Sequence, residues 1–116
     1  MIVVDDERDI RFLLRFVLEK QGYRVLEAVH GASALEMLRR ETPALVITDL
    51  MMPVMDGAEL IDALRADVTT AHIPVILTSA CPERAPRERF DLVMPKPFRP
   101  LEIIAAVFEL LAEDPT

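Results

Sequence analysis

Four places in this 116-residue chain hold residue types that could act together on a phosphoryl group. Asp5 and Asp6 stand side by side after Ile2-Val3-Val4, and Asp49 follows Leu45-Val46-Ile47-Thr48. Thr78-Ser79 closes the run from Pro74, and Lys96 comes just after Leu92-Val93-Met94. Carboxylates gathered in one place repel, and at least one has a raised pKa unless a cation intervenes. A hard divalent ion with oxygen ligands relieves that repulsion, and Mg²⁺ commonly takes one or two carboxylates plus waters and phosphate oxygens. A lysine and a hydroxyl beside such an ion would neutralise and hydrogen-bond the oxygens of a phosphoryl group. A carboxylate can itself be the nucleophile, which gives an aspartyl phosphate. The competing reading is that an Asp at a strand end only caps a helix or shapes a turn. The acids favour chemistry as a set, because they come from separate strands.

The elements that must position these residues alternate along the chain. Ile2 to Val4 is a short strand. Ile10, Leu13, Leu14, Val17 and Leu18 follow the spacing of an amphipathic helix, which Gly22 closes as a left-handed cap. Arg24 to Val29 is a weaker strand. Ala32 to Arg40 is helical, with Leu35 and Leu38 in phase and Pro43 as the stop. Leu45 to Thr48 reads as a strand covered on both faces. Gly57 to Asp67 is a third helix with Leu60, Ile61 and Leu64 inward, and Pro74 to Ser79 is another buried strand. Pro82 and Pro86 then resist a long helix, and at most a short one fits around Arg87 to Phe90. Leu92 to Met94 is a last strand whose flanking Pro95 and Pro97 suit a sheet edge. A final helix starts near Pro100 and runs to about Ala112.

Five β-α units imply a doubly wound parallel sheet with helices on both faces, here with a shortened or irregular fourth helix. In such sheets ligands sit beyond the carboxyl ends of the strands, at the switch point in strand order. That rule places the acids, Ser79 and Lys96 on one rim.

Composition narrows the function classes. Apolar residues make up 52% and charged residues 28%, the balance of a globular chain. No apolar run of membrane-spanning length occurs, and the start does not read as a secretory signal. The net charge of −7 argues against direct nucleic-acid binding by this domain. The single Cys81 excludes an internal disulfide and fits a cytoplasmic setting.

The segments Val3-Val4-Asp5-Asp6-Glu7, Asp49-Leu50-Met51-Met52-Pro53-Val54-Met55-Asp56-Gly57, Pro74-Val75-Ile76-Leu77-Thr78-Ser79-Ala80 and Lys96-Pro97-Phe98 resemble the receiver domain of two-component response regulators. They fall in the same order and span essentially the whole chain, so residues 1–116 are expected to form one receiver domain, with Glu113 to Thr116 as a potential linker start. The resemblance implies a flavodoxin-like strand order of 2-1-3-4-5. It implies Asp49 as the phosphoacceptor and Asp5 and Asp6 as the acidic pair, with Asp6 and Asp49 preferred as direct Mg²⁺ ligands. Met51 would lend its backbone carbonyl to the metal. Ser79 matches the switch hydroxyl by register, with Thr78 as its neighbour and rival. Lys96 would pair with the phosphoryl group, and its bond to Pro97 is expected to be cis. The implied function is a signalling switch, not an enzyme acting on an outside substrate. Asp49 would take its phosphoryl group from a phosphohistidine on a sensor histidine kinase or a phosphotransfer protein.

Departures from the pattern are equally specific. The family often places Tyr or Phe three residues before the lysine, where this chain has Val93. A valine cannot make an aromatic's inward rotation, which argues against a hydroxyl-to-aromatic relay. Ser79 and Lys96 are also closer in sequence than in typical members, and the loss falls between Cys81 and Pro86.

The last helix is apolar on two sides. Leu101, Ile104, Ala105, Phe108 and Leu111 form one stripe, and Ile103, Val107 and Leu110 form another. The second stripe is the candidate homodimer interface, with cover by the neighbouring irregular segment as the competing reading. Phe12 and Phe16 flank the core face of the first helix, where partial packing against neighbouring helices is expected, with docking of a kinase-side partner, implied by the resemblance, as the alternative. The rival functions are a phosphorylation-independent binding or dimerisation module, an aspartate-nucleophile phosphatase and a flavin-binding protein. Adjacent acids and the absence of a cap segment weigh against the phosphatase. An acidic first loop, where a phosphate cradle needs free N–H groups, weighs against the flavin protein.

Overall fold

The computed structural model describes residues 1–112; the linker start expected at 113–116 lies outside the described residues. The elements run β1 (Ile2–Val4), α1 (Arg8–Lys20), β2 (Leu26–Ala28), α2 (Gly31–Arg40), β3 (Val46–Asp49), α3 (Gly57–Ala66), β4 (Val75–Ser79), β5 (Leu92–Pro95) and α4 (Pro100–Ala112). Two single 3₁₀ turns, Pro82–Arg84 and Arg87–Arg89, stand between β4 and β5. The five strands pair in parallel in the order 2-1-3-4-5. The flavodoxin-like expectation and the irregular fourth crossover are both met, and β5 with its prolines lies at an edge.

Strand alternation divides the core into two layers. Ile2, Val4, Val46, Val75 and Leu77 face α2 and α3, packing on Leu38, Leu60, Ile61 and Leu64. Val3, Ile47 and Ile76 face α1 and α4, packing on Leu14, Leu18, Ile103 and Val107. Local chemistry ends the helices where the sequence places stops. Gly22 takes φ +93° after α1, its N–H donates to the Glu19 carbonyl, and the Tyr23 N–H donates to the Leu18 carbonyl. That pair of bonds satisfies carbonyls the helix end leaves open. Asp56 caps α3 through a reciprocal box, its carboxylate accepting from the Glu59 N–H at 2.8 Å and Glu59 accepting from the Asp56 N–H at 3.2 Å.

The segment that replaces a fourth helix is held from outside itself. Phe90 enters the core on the α3 side. Arg65 of α3 donates to the carbonyls of Ala71 and Ile73 and to the Asp91 carboxylate, which also accepts from the Val75 N–H. Arg89 reaches back to Asp62 at 2.8 Å.

The candidate interface on the last helix is corrected by the packing. Ile103 and Val107 are fully buried against the sheet, and Leu110 packs half-buried on the same layer. The outward stripe is instead the one bearing Leu101 (78% exposed) and Phe108 (68% exposed). A helix apolar on both sides carries no periodicity that fixes its rotation. Branched Ile103 and Val107 with small Ala106 let the helix lie close on the sheet, which the bulkier Phe108 would not. The packing expected for Phe12 and Phe16 is not found either. Both rings are exposed and stack on each other at 6.3 Å, and the Lys20 ammonium lies 4.9 Å over Phe16.

Candidate functional site

Asp5 comes off the end of β1 and is almost wholly buried (1% exposed), whereas Asp6 is exposed. Asp49 is the last residue of β3, next to β1 in the sheet, and is 7% exposed. One carboxylate oxygen from each of the three lies within 4.8 Å of the others. Lys96, just past β5, crosses to them. Its Nζ donates to Asp5 Oδ2 at 2.9 Å and lies 3.4 Å from Asp49 Oδ1 and 3.9 Å from Glu7 Oε1.

The electrostatics follow from burial and company. Burial pushes the Asp49 carboxyl above the usual carboxylate range, and the charge on Asp5 pushes the same way. Lys96 and the Leu50 N–H, which donates to Asp49 Oδ1 at 2.9 Å, oppose the rise without cancelling it. For Lys96, burial alone would lower the pKa. The Asp5 hydrogen bond and the charges of Asp5, Asp49 and Glu7 outweigh it, so the ammonium is held above its ordinary value. The rim is thus an excess of buried negative charge held by one cation, and its donors are all hard oxygens. That chemistry fits Mg²⁺.

Ser79 is buried at the end of β4, paired in register with Pro95, and its carbonyl accepts from the Lys96 N–H at 2.8 Å. Its hydroxyl oxygen accepts from the Cys81 N–H at 3.0 Å. The neighbouring Thr78 hydroxyl donates toward the Thr48 carbonyl at 3.4 Å, into the sheet. The Met51 side chain is exposed. Val93 is half-buried against the α2–α3 layer. The Lys96–Pro97 peptide is cis.

The loop from Asp49 to α3 is shaped closely around the rim. The Gly57 N–H donates to the Leu50 carbonyl at 2.9 Å, and a Cβ at this position would lie 2.4 Å from the Asp49 carbonyl oxygen. Only glycine allows that approach. Val54 takes φ +69° at the tip, where the Met55 N–H donates back to the Pro53 carbonyl at 2.7 Å. A β-branched residue there stores local strain. A cleft of about 520 Å³ between α2 and α3 includes none of the rim acids.

Two contributors were not singled out from sequence. Glu7 approaches Lys96, and Arg11 of α1 donates to the Asp5 carbonyl at 2.7 Å. Nothing in the local sequence pairs Arg11 with its partners, which lie in other elements. The Asp56–Glu59 spacing, by contrast, is a signature the sequence does carry.

A family model described as the response regulator receiver domain matches residues 1–108. The chain belongs to the receiver domain family. Among its relatives, a 14.6 kDa protein from the sodA1 3′ region of Leptolyngbya boryana is 40% identical over 112 residues, covering 92% of this chain and 86% of that protein. The sensor histidine kinase TmoS of Ectopseudomonas mendocina is 38% identical over 97% of this receiver, which spans only 12% of the kinase. A solved receiver domain of a signal transduction histidine kinase from Syntrophus aciditrophicus superposes with a TM-score of 0.88 at 29% identity, covering 97% of this chain and 89% of that one. The Thermotoga maritima response regulator TrrA, solved in complex with Mg²⁺-BeF, gives 0.84 at 31% identity, covering 95% and 96%.

Proposed function

We propose that this receiver is a phosphoacceptor switch in a two-component pathway, with Asp49 as the residue that is phosphorylated. The observation that carries the reading is the gathering of Asp5, Asp6 and Asp49 oxygens within 4.8 Å with Lys96 against two of them. Residues 1–116 act as one domain on this reading, in the cytoplasm, and the donor is a phosphohistidine on a histidine kinase or a phosphotransfer protein.

Asp6 and Asp49, with Asp5 and the Met51 backbone carbonyl, would hold Mg²⁺. When bound, the ion neutralises charge on the phosphoryl oxygens and on the acids. The chain's own residues do the rest. An Asp49 carboxylate oxygen attacks phosphorus and forms the acyl-phosphate bond. The P–N bond breaks, and the leaving imidazole nitrogen keeps the electron pair. Lys96 turns from Asp5 to the phosphoryl oxygens. The Ser79 hydroxyl gives up its Cys81 contact and donates to the same group. Water later attacks phosphorus and returns Asp49 as a free carboxylate with inorganic phosphate.

The test is intact mass after incubation with Mg²⁺ and acetyl phosphate. A single labile phosphoryl adduct is expected, absent with a chelator and absent from Asp49→Asn. The second reading, a phosphorylation-independent docking module, is favoured by Val93 and by the 3₁₀ turns that replace a helix. No adduct on a folded protein that takes up Mg²⁺, from acetyl phosphate or from a kinase, would select it.

A further inference from the structure

The loop that carries Asp5 and Asp6 is anchored by a side chain outside the rim. Arg11 lies in the second turn of α1 and is largely buried. Its Nη1 donates to the Asp5 carbonyl oxygen at 2.7 Å, and its Nε donates to Glu27 Oε1 on β2 at 3.2 Å. Arg15, one turn on, holds the other oxygen of Glu27 at 3.1 Å, so Glu27 is fixed from both sides. One guanidinium therefore ties three elements together at the peptide joining Asp5 to Asp6.

That peptide matters because of how the two acids are held. Asp5 has its own supports: its N–H donates to the Ala28 carbonyl, and its carboxylate accepts from Glu7 N–H and Lys96. Among the described residues, no protein group donates to the exposed Asp6 carboxylate. Its direction toward Asp49 is set by the backbone it hangs from, and the Arg11 bond to the Asp5 carbonyl is a side-chain contact on that backbone. Outer partners of this kind orient metal ligands and are worth a large fraction of affinity.

We propose that Arg11, oriented by Glu27, is a positioning residue for divalent-cation binding at the acidic rim. The inference rests on the reading of Asp5, Asp6 and Asp49 as a Mg²⁺ site. Its sign separates it from plain electrostatics. Arg11 carries a positive charge close to a cation site, so removing that charge should by Coulomb's law tighten Mg²⁺ binding. Loss of positioning should weaken it. Lysine keeps the charge but lacks the planar fork that reaches a carbonyl and a carboxylate together.

Titration calorimetry of the full chain with MgCl₂, at fixed pH and ionic strength and without a phosphodonor, tests this. The melting midpoint of each metal-free variant is recorded alongside. Arg11→Met should weaken the Mg²⁺ dissociation constant about 10-fold, and Arg11→Lys should weaken it in the same direction. Lys20→Met removes an equal charge at the far end of α1, without touching Glu27, and should leave the constant within about twofold. A folded Arg11→Met with unchanged or tighter Mg²⁺ binding would make Arg11 a structural clamp and overturn the proposal. So would a Lys20→Met loss as large as that of Arg11→Met. If Arg11→Met does not fold, Arg11→Lys decides by the same criterion. A wild-type chain that takes up no Mg²⁺ would remove the site reading itself, and the Arg11 role with it.

Discussion

The acidic rim and the segment between β4 and β5 are built by opposite means. The rim places its residues on strand ends and just beyond them, so the sheet's backbone ladder sets where Asp49, Ser79 and Lys96 stand. The 3₁₀ segment has little regular structure of its own, and is tied down by one buried ring, Phe90, and by arginines reaching to and from α3. Groups that must be held to a fraction of an ångström sit where displacement would break several backbone bonds at once. The surface beside them is fastened by contacts that one substitution can release. Chemistry and surface can therefore vary independently in this chain.

Substitutions can break or sharpen that contrast. The largest effect is expected from Phe90→Ala, which removes the buried anchor of the 3₁₀ segment and should cost about 3 kcal/mol in urea unfolding. The same variant should still take up one phosphoryl group from acetyl phosphate; loss of uptake in folded protein would show that the two regions are one unit. Gly57→Ala should cost about 2 kcal/mol, because its Cβ must displace the Asp49 backbone. Unlike Phe90→Ala, it should also slow phosphoryl uptake, and a normal rate would mean the loop yields without moving Asp49.

Asp49→Asn should act in the opposite direction and modestly stabilise the metal-free protein, because it removes a buried charge that Asp5 repels. Asp49 binds its proton more tightly folded than unfolded, so wild-type stability in a chelator should gain a contribution from this residue as pH falls through its raised folded value. Denaturation in EDTA across neutral to mildly acidic pH should show that contribution in wild type and not in the variant. Equal pH profiles would mean that Lys96 already cancels the repulsion. The smallest effect is expected from Arg89→Met, whose exposed pair with Asp62 is worth under about 0.5 kcal/mol. A loss above about 1 kcal/mol would show that the ion pair, and not Phe90, fastens the segment.

Much of this was legible before any coordinates. Alternating short apolar runs and helical patterns imply the parallel sheet, and the strand-end rule then puts Asp5, Asp6, Asp49 and Lys96 on one rim. Gly22 and the prolines of β5 are local signals with local causes. The rotation of α4 was not legible, because Ile103 and Phe108 are equally apolar and only close packing chooses between them. The exposure of Phe12 and Phe16 was hidden for the same reason. The Arg11–Glu27 link joins residues on different elements, and no short-range pattern records it.

The proline that ends β5 has a consequence at the outer margin of the sheet. Backbone N–H groups alternate sides along a strand, and the Lys96 N–H points inward to Ser79. The nitrogen of Pro95 therefore faces outward, where a free donor would otherwise invite a foreign strand to dock. Nothing inside the ladder is lost by its missing hydrogen, and one rung of a template for polymerisation is removed. Even with its last crossover reduced to 3₁₀ turns, the molecule has a blunted border against self-propagating growth.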